Sequence, residues 1–157
     1  MKNFFTISEL LHSSTAVEHR LWNGATQEAE ENLDALRARL LNPLRSAWGR
    51  PLTVASGFRC AQLNALVHGA PQSQHMRGEA ADICAGSPAD NLALARLALS
   101  LPEGFDQLIL EETGARDLLP QWLHLSWKRS GGNRRQVLRK VKSTAGYQPL
   151  SREEVLR

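Results

Sequence analysis

The stretch Ser73-Gln74-His75-Met76-Arg77-Gly78-Glu79-Ala80-Ala81-Asp82-Ile83-Cys84 decides how the rest of the chain is read. Its last five residues, AADIC, are short and mostly apolar, as a buried strand is. The residues before them, from 70 to 79, are polar and broken by glycine, so they read as a loop. His75 and Asp82 therefore sit at the two ends of a tight loop-to-strand passage, separated by a glycine and small side chains.

Working outward, LTVAS (52–56) is a second short strand, stopped by Ser56-Gly57. CAQLNALV (60–67) reads as a helix closed by His68-Gly69, with His68 as a cation at the helix end. Gln27 to Trp48 is the clearest helix: Leu33, Leu36, Leu40, Leu44 and Ala47 form one apolar stripe. Pro43 should kink or split it, and Gly49 ends it. Residues 4–22 form a lead-in, with a helical turn starting near Ser8 and Glu9. Downstream, Ser87-Pro88-Ala89-Asp90 opens a helix to about Ser100. FDQLILEE (105–112) and WLHLSW (122–127) are strands separated by a loop with Gly114 and Pro120. After Ser130-Gly131-Gly132 the chain reads as a polar, basic tail. The mixture predicts the α+β class: a single domain with a small antiparallel sheet flanked by helices.

The chain has 157 residues, one domain's worth, and needs no disulfide or metal staple to bury a core. With 42% apolar and 22% charged residues it is neither a disordered chain nor a disulfide scaffold. Apolar runs fall short of a membrane span. The opening MKNFFTISELLHSS lacks the apolar core and cleavage site of a secretory signal, so synthesis in the cytoplasm is expected. Cys60 and Cys84 are then expected as free thiols, with a disulfide as the alternative. The formal charge is +3 and unevenly spread. Lys128, Arg129, Arg134, Arg135, Arg139, Lys140 and Lys142 follow one another with no acid between, leaving twelve bases against sixteen acids elsewhere.

Two of the five histidines have informative surroundings. In the strand WLHLSW, alternation puts Trp122, His124 and Ser126 on one face. An imidazole there needs a partner, which is either an ordinary hydrogen bond within the core or a metal. Two imidazoles and one carboxylate make a three-ligand set. Zinc held by such a set keeps a fourth position open and lowers the pKa of a bound water to about 7.

The string S-x-H-x-x-G-x-A-x-D, followed some forty residues later by W-x-H, resembles the D-Ala-D-Ala metallopeptidase family. That family includes zinc carboxypeptidases and phage endopeptidases acting on bacterial cell-wall peptides, and its metal site recurs in the hedgehog domain. Ser56-Gly57-Phe58-Arg59, FDQLILE and FFTISELLHSSTA extend the resemblance over roughly residues 4–127. The resemblance implies one zinc ion held by His75, Asp82 and His124. It makes Arg59 a substrate-facing arginine, suited to binding a carboxylate or polarising the scissile carbonyl. Ser73 would support the ligands by hydrogen bonding and, with Arg59, belong to the substrate side; Trp122 either packs in the core or lines the cleft on that side. Gly78 permits a tight backbone path between ligands. Residues 1–130 would be the peptidase domain and 131–157 a basic extension, either free or packed on the same domain.

One departure stands out. Many relatives carry a glutamate three residues before the last ligand as general base, and here that position is Gln121, which cannot take a proton. Glu111, at the end of the preceding strand, is either the best substitute or a solvated strand-end charge: if the two strands pair, Gln107, Ile109 and Glu111 would share the site's face while Glu112 points away. Gln121 would orient water or substrate. The expected function is hydrolysis of a peptide bond in peptidoglycan stem peptides, by a carboxypeptidase or an endopeptidase such as a phage or prophage lysin. It would act on the wall after release. The alternative is a zinc-containing wall-binding module with little or no turnover. A monomer is expected and nucleic acid is not. The basic tail is either a solvated end or a weak attractor of the anionic envelope.

Overall fold

The computed structural model describes residues 2–157. The N-terminal segment folds as two short helices, α1 (Ile7–Leu11) and α2 (Ser14–Glu18). The cap of α1 is Thr6, whose hydroxyl accepts from the Glu9 N–H, so the turn begins ahead of Ser8. The long amphipathic segment becomes α3 (Gln27–Leu36), a wide π-type turn over Arg37–Leu41, and α4 (Asn42–Trp48), which ends at Gly49 with φ of 77°. Pro43 lies in the first turn of α4, where its missing N–H costs nothing, and the wide turn before it makes room for the ring. The extra residue in that turn rotates the apolar stripe. Leu33, Leu36, Leu40 and Leu44 are fully buried as expected, but Leu41 joins them and Ala47 is exposed.

Among the described residues, six strands form one sheet in the order β1-β2-β4-β3-β5-β6. They are β1 (Thr53–Ser56), β2 (Ala80–Cys84), β3 (Gln107–Thr113), β4 (Trp122–Ser126), β5 (Gln136–Val141) and β6 (Gln148–Pro149). Helix α5 (Ala61–Leu66) follows β1, and α6 (Pro88–Ala98) links β2 to β3. All pairings are antiparallel except β3 with β5. Ala81, Ile83, Leu108, Leu110, Leu123, Leu125 and Val137 point to one side of the sheet, into a core shared with α3, α4 and α6. Their alternating neighbours Asp82, Ile109, Glu111, Trp122, His124 and Leu138 line a cleft on the other side.

The basic C-terminal stretch is not a solvated end. It supplies β5, in parallel register with β3, and then helix α7 (Arg152–Leu156). Val137, Leu138 and Val155 are buried, which anchors both elements. The bases are largely spoken for. Lys128 and Arg134 pair with Asp106, Arg129 with Glu31, and Lys140 with Glu112, while Arg139 donates to the Gly114 carbonyl. The run of charges in the sequence hid the short apolar pair that makes the strand.

Glu112 departs from the expected alternation. Leu110 pairs with Arg139 but Thr113 pairs with Val141, so β3 carries one residue more than β5 across this interval. Glu112 takes φ of 56° at this bulge. Both Glu111 and Glu112 consequently line the cleft, and Thr113 returns to a buried position.

Candidate metal centre

Three elements converge on the centre. Ser73 caps a short 3₁₀ turn (Gln74–Arg77) that carries His75; β2 carries Asp82; β4 carries His124 directly opposite Asp82 in the ladder. The Ser73 hydroxyl accepts from the His75 N–H at 3.2 Å. Gly78 ends the turn at φ of 74°, and a Cβ there would lie 2.2 Å from the Ala29 carbonyl oxygen. Only glycine serves at this point.

One carboxylate oxygen of Asp82, Oδ1, lies 3.2 Å from His75 Nε2 and 3.4 Å from His124 Nδ1. A tetrahedral ion with bonds of 2.0–2.1 Å places neighbouring donor atoms about 3.3 Å apart. Asp82 Oδ1 is buried and has no hydrogen-bond partner. A buried carboxylate oxygen left facing two imidazole nitrogens calls for a cation between them. Burial drives the Asp82 carboxyl up, but the closeness of His75 and His124 more than reverses this and holds it well below the usual carboxylate range. The donor set of two nitrogens and one oxygen is that of a catalytic zinc site with an open corner.

Each imidazole presents the correct nitrogen because its other nitrogen is engaged. His75 Nδ1 lies 2.7 Å from the Gly57 carbonyl and donates to it, leaving Nε2 free. Gly57 must be glycine, since a Cβ would meet the Leu10 carbonyl oxygen at 2.1 Å. Asn23 holds the same segment, donating to the Phe58 carbonyl and accepting from the Cys60 N–H. His124 Nε2 lies 3.3 Å from Gln74 Oε1, leaving Nδ1 free.

The cleft above the centre measures about 410 Å³, within the range of small-ligand sites. Arg59 enters it from the loop after β1, with Nη2 donating to Ser73 Oγ at 3.3 Å and its backbone N–H to the His75 carbonyl. Its Nε is buried without a partner. Glu111 and Trp122, opposite each other in the β3–β4 ladder, form another wall. Burial pushes the Glu111 carboxyl up and the Asp82 charge adds to this, against the pull of His124 and Lys140, leaving a pKa of about 7.

Of the residues singled out in the sequence, His75, Asp82, His124, Arg59, Ser73, Glu111 and Trp122 all line this one cleft. Gln121 does not. It is exposed at the start of β4, and its backbone N–H donates to the Glu111 carbonyl at 2.9 Å. Sequence reasoning missed Gln74, Lys140, Tyr147 and Glu112. It also assigned His68 to a helix end, whereas α5 stops at Leu66 and His68 faces the cleft with φ of 57°. Both cysteines are free.

A family model described as peptidase M15 matches residues 3–113, well over half of the chain. The chain belongs to the peptidase M15 family. The match covers His75 and Asp82 and stops short of β4, so His124 joins the candidate metal centre through the sheet register. The zinc D-Ala-D-Ala carboxypeptidase of Streptomyces albus G is 43% identical over 70 residues, which is 44% of this chain and 26% of that relative. This M15 chain thus matches about a quarter of the length of that curated relative.

Proposed function

We propose that the chain is a zinc-dependent peptidase that hydrolyses peptide bonds in the stem peptides of bacterial peptidoglycan. The observation that carries this reading is the convergence of His75, Asp82 and His124 beneath a cleft that also holds Glu111 and Arg59. The S. albus G relative, a zinc D-Ala-D-Ala carboxypeptidase by name, supports the choice of metal and of substrate class. When bound, zinc supplies Lewis acidity and a water made acidic enough to ionise near neutral pH.

The chain's own groups do the rest. Arg59 offers its guanidinium to a substrate carboxylate or to the scissile carbonyl, and Ser73 holds it in place. Glu111 takes a proton from the attacking water onto its carboxylate and returns it to the leaving nitrogen. Burial pushes this carboxyl up in the zinc-free chain, and a cation bound at Asp82 would cancel the Asp82 contribution and favour the carboxylate that takes the proton. Trp122, Ile109 and Leu138 give the cleft an apolar wall that limits water beside the reacting bond. Gln121 contributes through its backbone bond to Glu111 rather than through its side chain.

Digestion of purified peptidoglycan, with mass analysis of the products, tests this. Release of a single terminal residue marks a carboxypeptidase. Loss of internal linkages marks an endopeptidase, as in a lysin released onto the wall. Absence of any product that disappears with a chelator and returns with zinc overturns the proposal.

A second reading is a wall-binding module that keeps the metal and has lost turnover, favoured by Gln121 at the position where many relatives place a base. Wild-type protein that sediments with peptidoglycan without cutting it would establish that reading.

A further inference from the structure

The two histidine ligands are oriented in different ways. His75 leans on a backbone carbonyl, whereas His124 leans on the side chain of Gln74. An amide can face either way, and one orientation would offer His124 a donor rather than an acceptor. What sets the orientation of Gln74 lies behind it.

Gln74 Nε2 donates to Asp106 Oδ2 at 2.7 Å. Asp106 is fully buried. Its Oδ1 accepts from the backbone N–H of Arg134 at 3.1 Å and from Arg134 Nε at 3.0 Å, and Oδ2 accepts from Arg134 Nη2 at 2.7 Å. Lys128 Nζ lies 3.7 Å from Oδ1. The carboxylate thus accepts four hydrogen bonds, which fills its lone pairs. As a pure acceptor it obliges Gln74 to turn its NH₂ toward it and its carbonyl oxygen toward His124.

We infer that Gln74, Asp106 and Arg134 are positioning residues that hold His124 as the Nε2–H tautomer and so present Nδ1 to the metal. The order runs outward from the centre: the His124 Nε2–H donates to Gln74, the Gln74 amide donates to Asp106, and the Arg134 guanidinium clamps Asp106. The inference rests on the metal-centre reading of His75, Asp82 and His124, and not on which bond the enzyme cuts. Arg134 lies beyond residue 113, where the family match ends, so the C-terminal part of this chain secures a ligand of its own metal centre. Burial of Gln74 and Asp106 supports a built arrangement, because each polar atom in the series has a partner within hydrogen-bond distance.

The test compares the full chain with Gln74→Met, which fills similar space and breaks the series, and with Arg134→Lys, which keeps the charge but not the fork. Zinc affinity is read by competition with a chromophoric chelator, and the His124 proton by long-range ¹H–¹⁵N correlation. Wild type should show the Nε2–H form. Gln74→Met should lose about ten- to a hundredfold in zinc affinity and show a mixture of tautomers in the zinc-free protein. Arg134→Lys should fall between. Unfolding of the zinc-free variants is measured alongside, because a merely structural role lowers stability without moving the tautomer. Zinc affinity within twofold of wild type together with an unchanged tautomer in Gln74→Met overturns the positioning role alone. Wild-type protein that captures no zinc overturns the metal-centre reading, and this inference with it.

Discussion

Glu111 and Trp122 face each other in the β3–β4 ladder, two positions along from the pair formed by Ile109 and His124. On an antiparallel sheet such pairs share a face, so a carboxylate, an indole and an imidazole of the candidate metal centre are brought to one wall by register alone.

The first consequence concerns Glu111→Gln. The amide keeps the shape of the side chain but accepts no proton at working pH. We expect kcat to fall about a hundred- to ten-thousandfold while zinc affinity stays near wild type. Parallel peptidoglycan digestion and zinc titration check this, and unchanged turnover removes Glu111 from the reaction.

Glu111 also sets a pH dependence in the zinc-free chain. Its folded pKa of about 7 lies above its ordinary 4.5. Between those values the folded chain keeps a proton that the unfolded chain has lost. Stability therefore falls as pH rises through that window, by an amount on the order of 3 kcal/mol, and levels off above it. Urea unfolding of wild type and Glu111→Gln at pH 5 and pH 8 isolates the contribution. The variant should be relatively more stable at pH 8, and an identical pH slope in both proteins contradicts the assignment.

Arg59→Lys retains the charge and loses the fork. With one hydrogen bond to a charged group forfeited, kcat/KM should drop about ten- to a hundredfold, with zinc binding unaffected. Steady-state kinetics on a defined stem peptide measure it. Full activity in the lysine variant means the guanidinium geometry is not used.

Gly78→Ala forces a side chain into positive φ and against the Ala29 carbonyl. Relief requires the turn carrying His75 to move away from α3. Stability should fall by about 1–3 kcal/mol, and zinc affinity with it, because His75 is displaced relative to Asp82. Thermal unfolding with and without zinc separates the two effects.

A chain ending at Ser130 lacks β5, β6 and α7. It leaves one side of β3 unpaired and uncovers the core that Val137 and Val155 close. The truncated protein should be insoluble or bind zinc poorly. A soluble truncation with wild-type zinc affinity would return the C-terminal stretch to the status of an appendage.

The parts of the molecule legible in the sequence were those with local signatures. AADIC, WLHLS and the leucine stripe follow period-two and helical spacings, and the His75–Asp82 passage is a contiguous motif. Gly78 was readable because backbone curvature leaves few choices of residue. Elsewhere the information was non-local. That β5 lies beside β3 depends on a crossover no window of sequence contains. Its bases also looked solvated until their partners Asp106 and Glu112 were in place. Gln74 sits inside the motif itself, yet its role depends on Asp106 and Arg134, which are distant in the chain. One local signal was passed over: Ser151 and Glu154 make a capping box, and α7 follows from it.

The unpaired residue at Glu112 has a bearing on any attempt to exchange the connection between β3 and β4. Because β3 changes phase there, a graft joined before Glu112 inherits the opposite inside–outside pattern from one joined after Thr113. Deleting the Glu112 codon alone would straighten the ladder, leaving Glu111 on the cleft and Thr113 in the core but removing the carboxylate that pairs with Lys140. The safe junctions for loop transplantation are therefore after Thr113 and before Trp122.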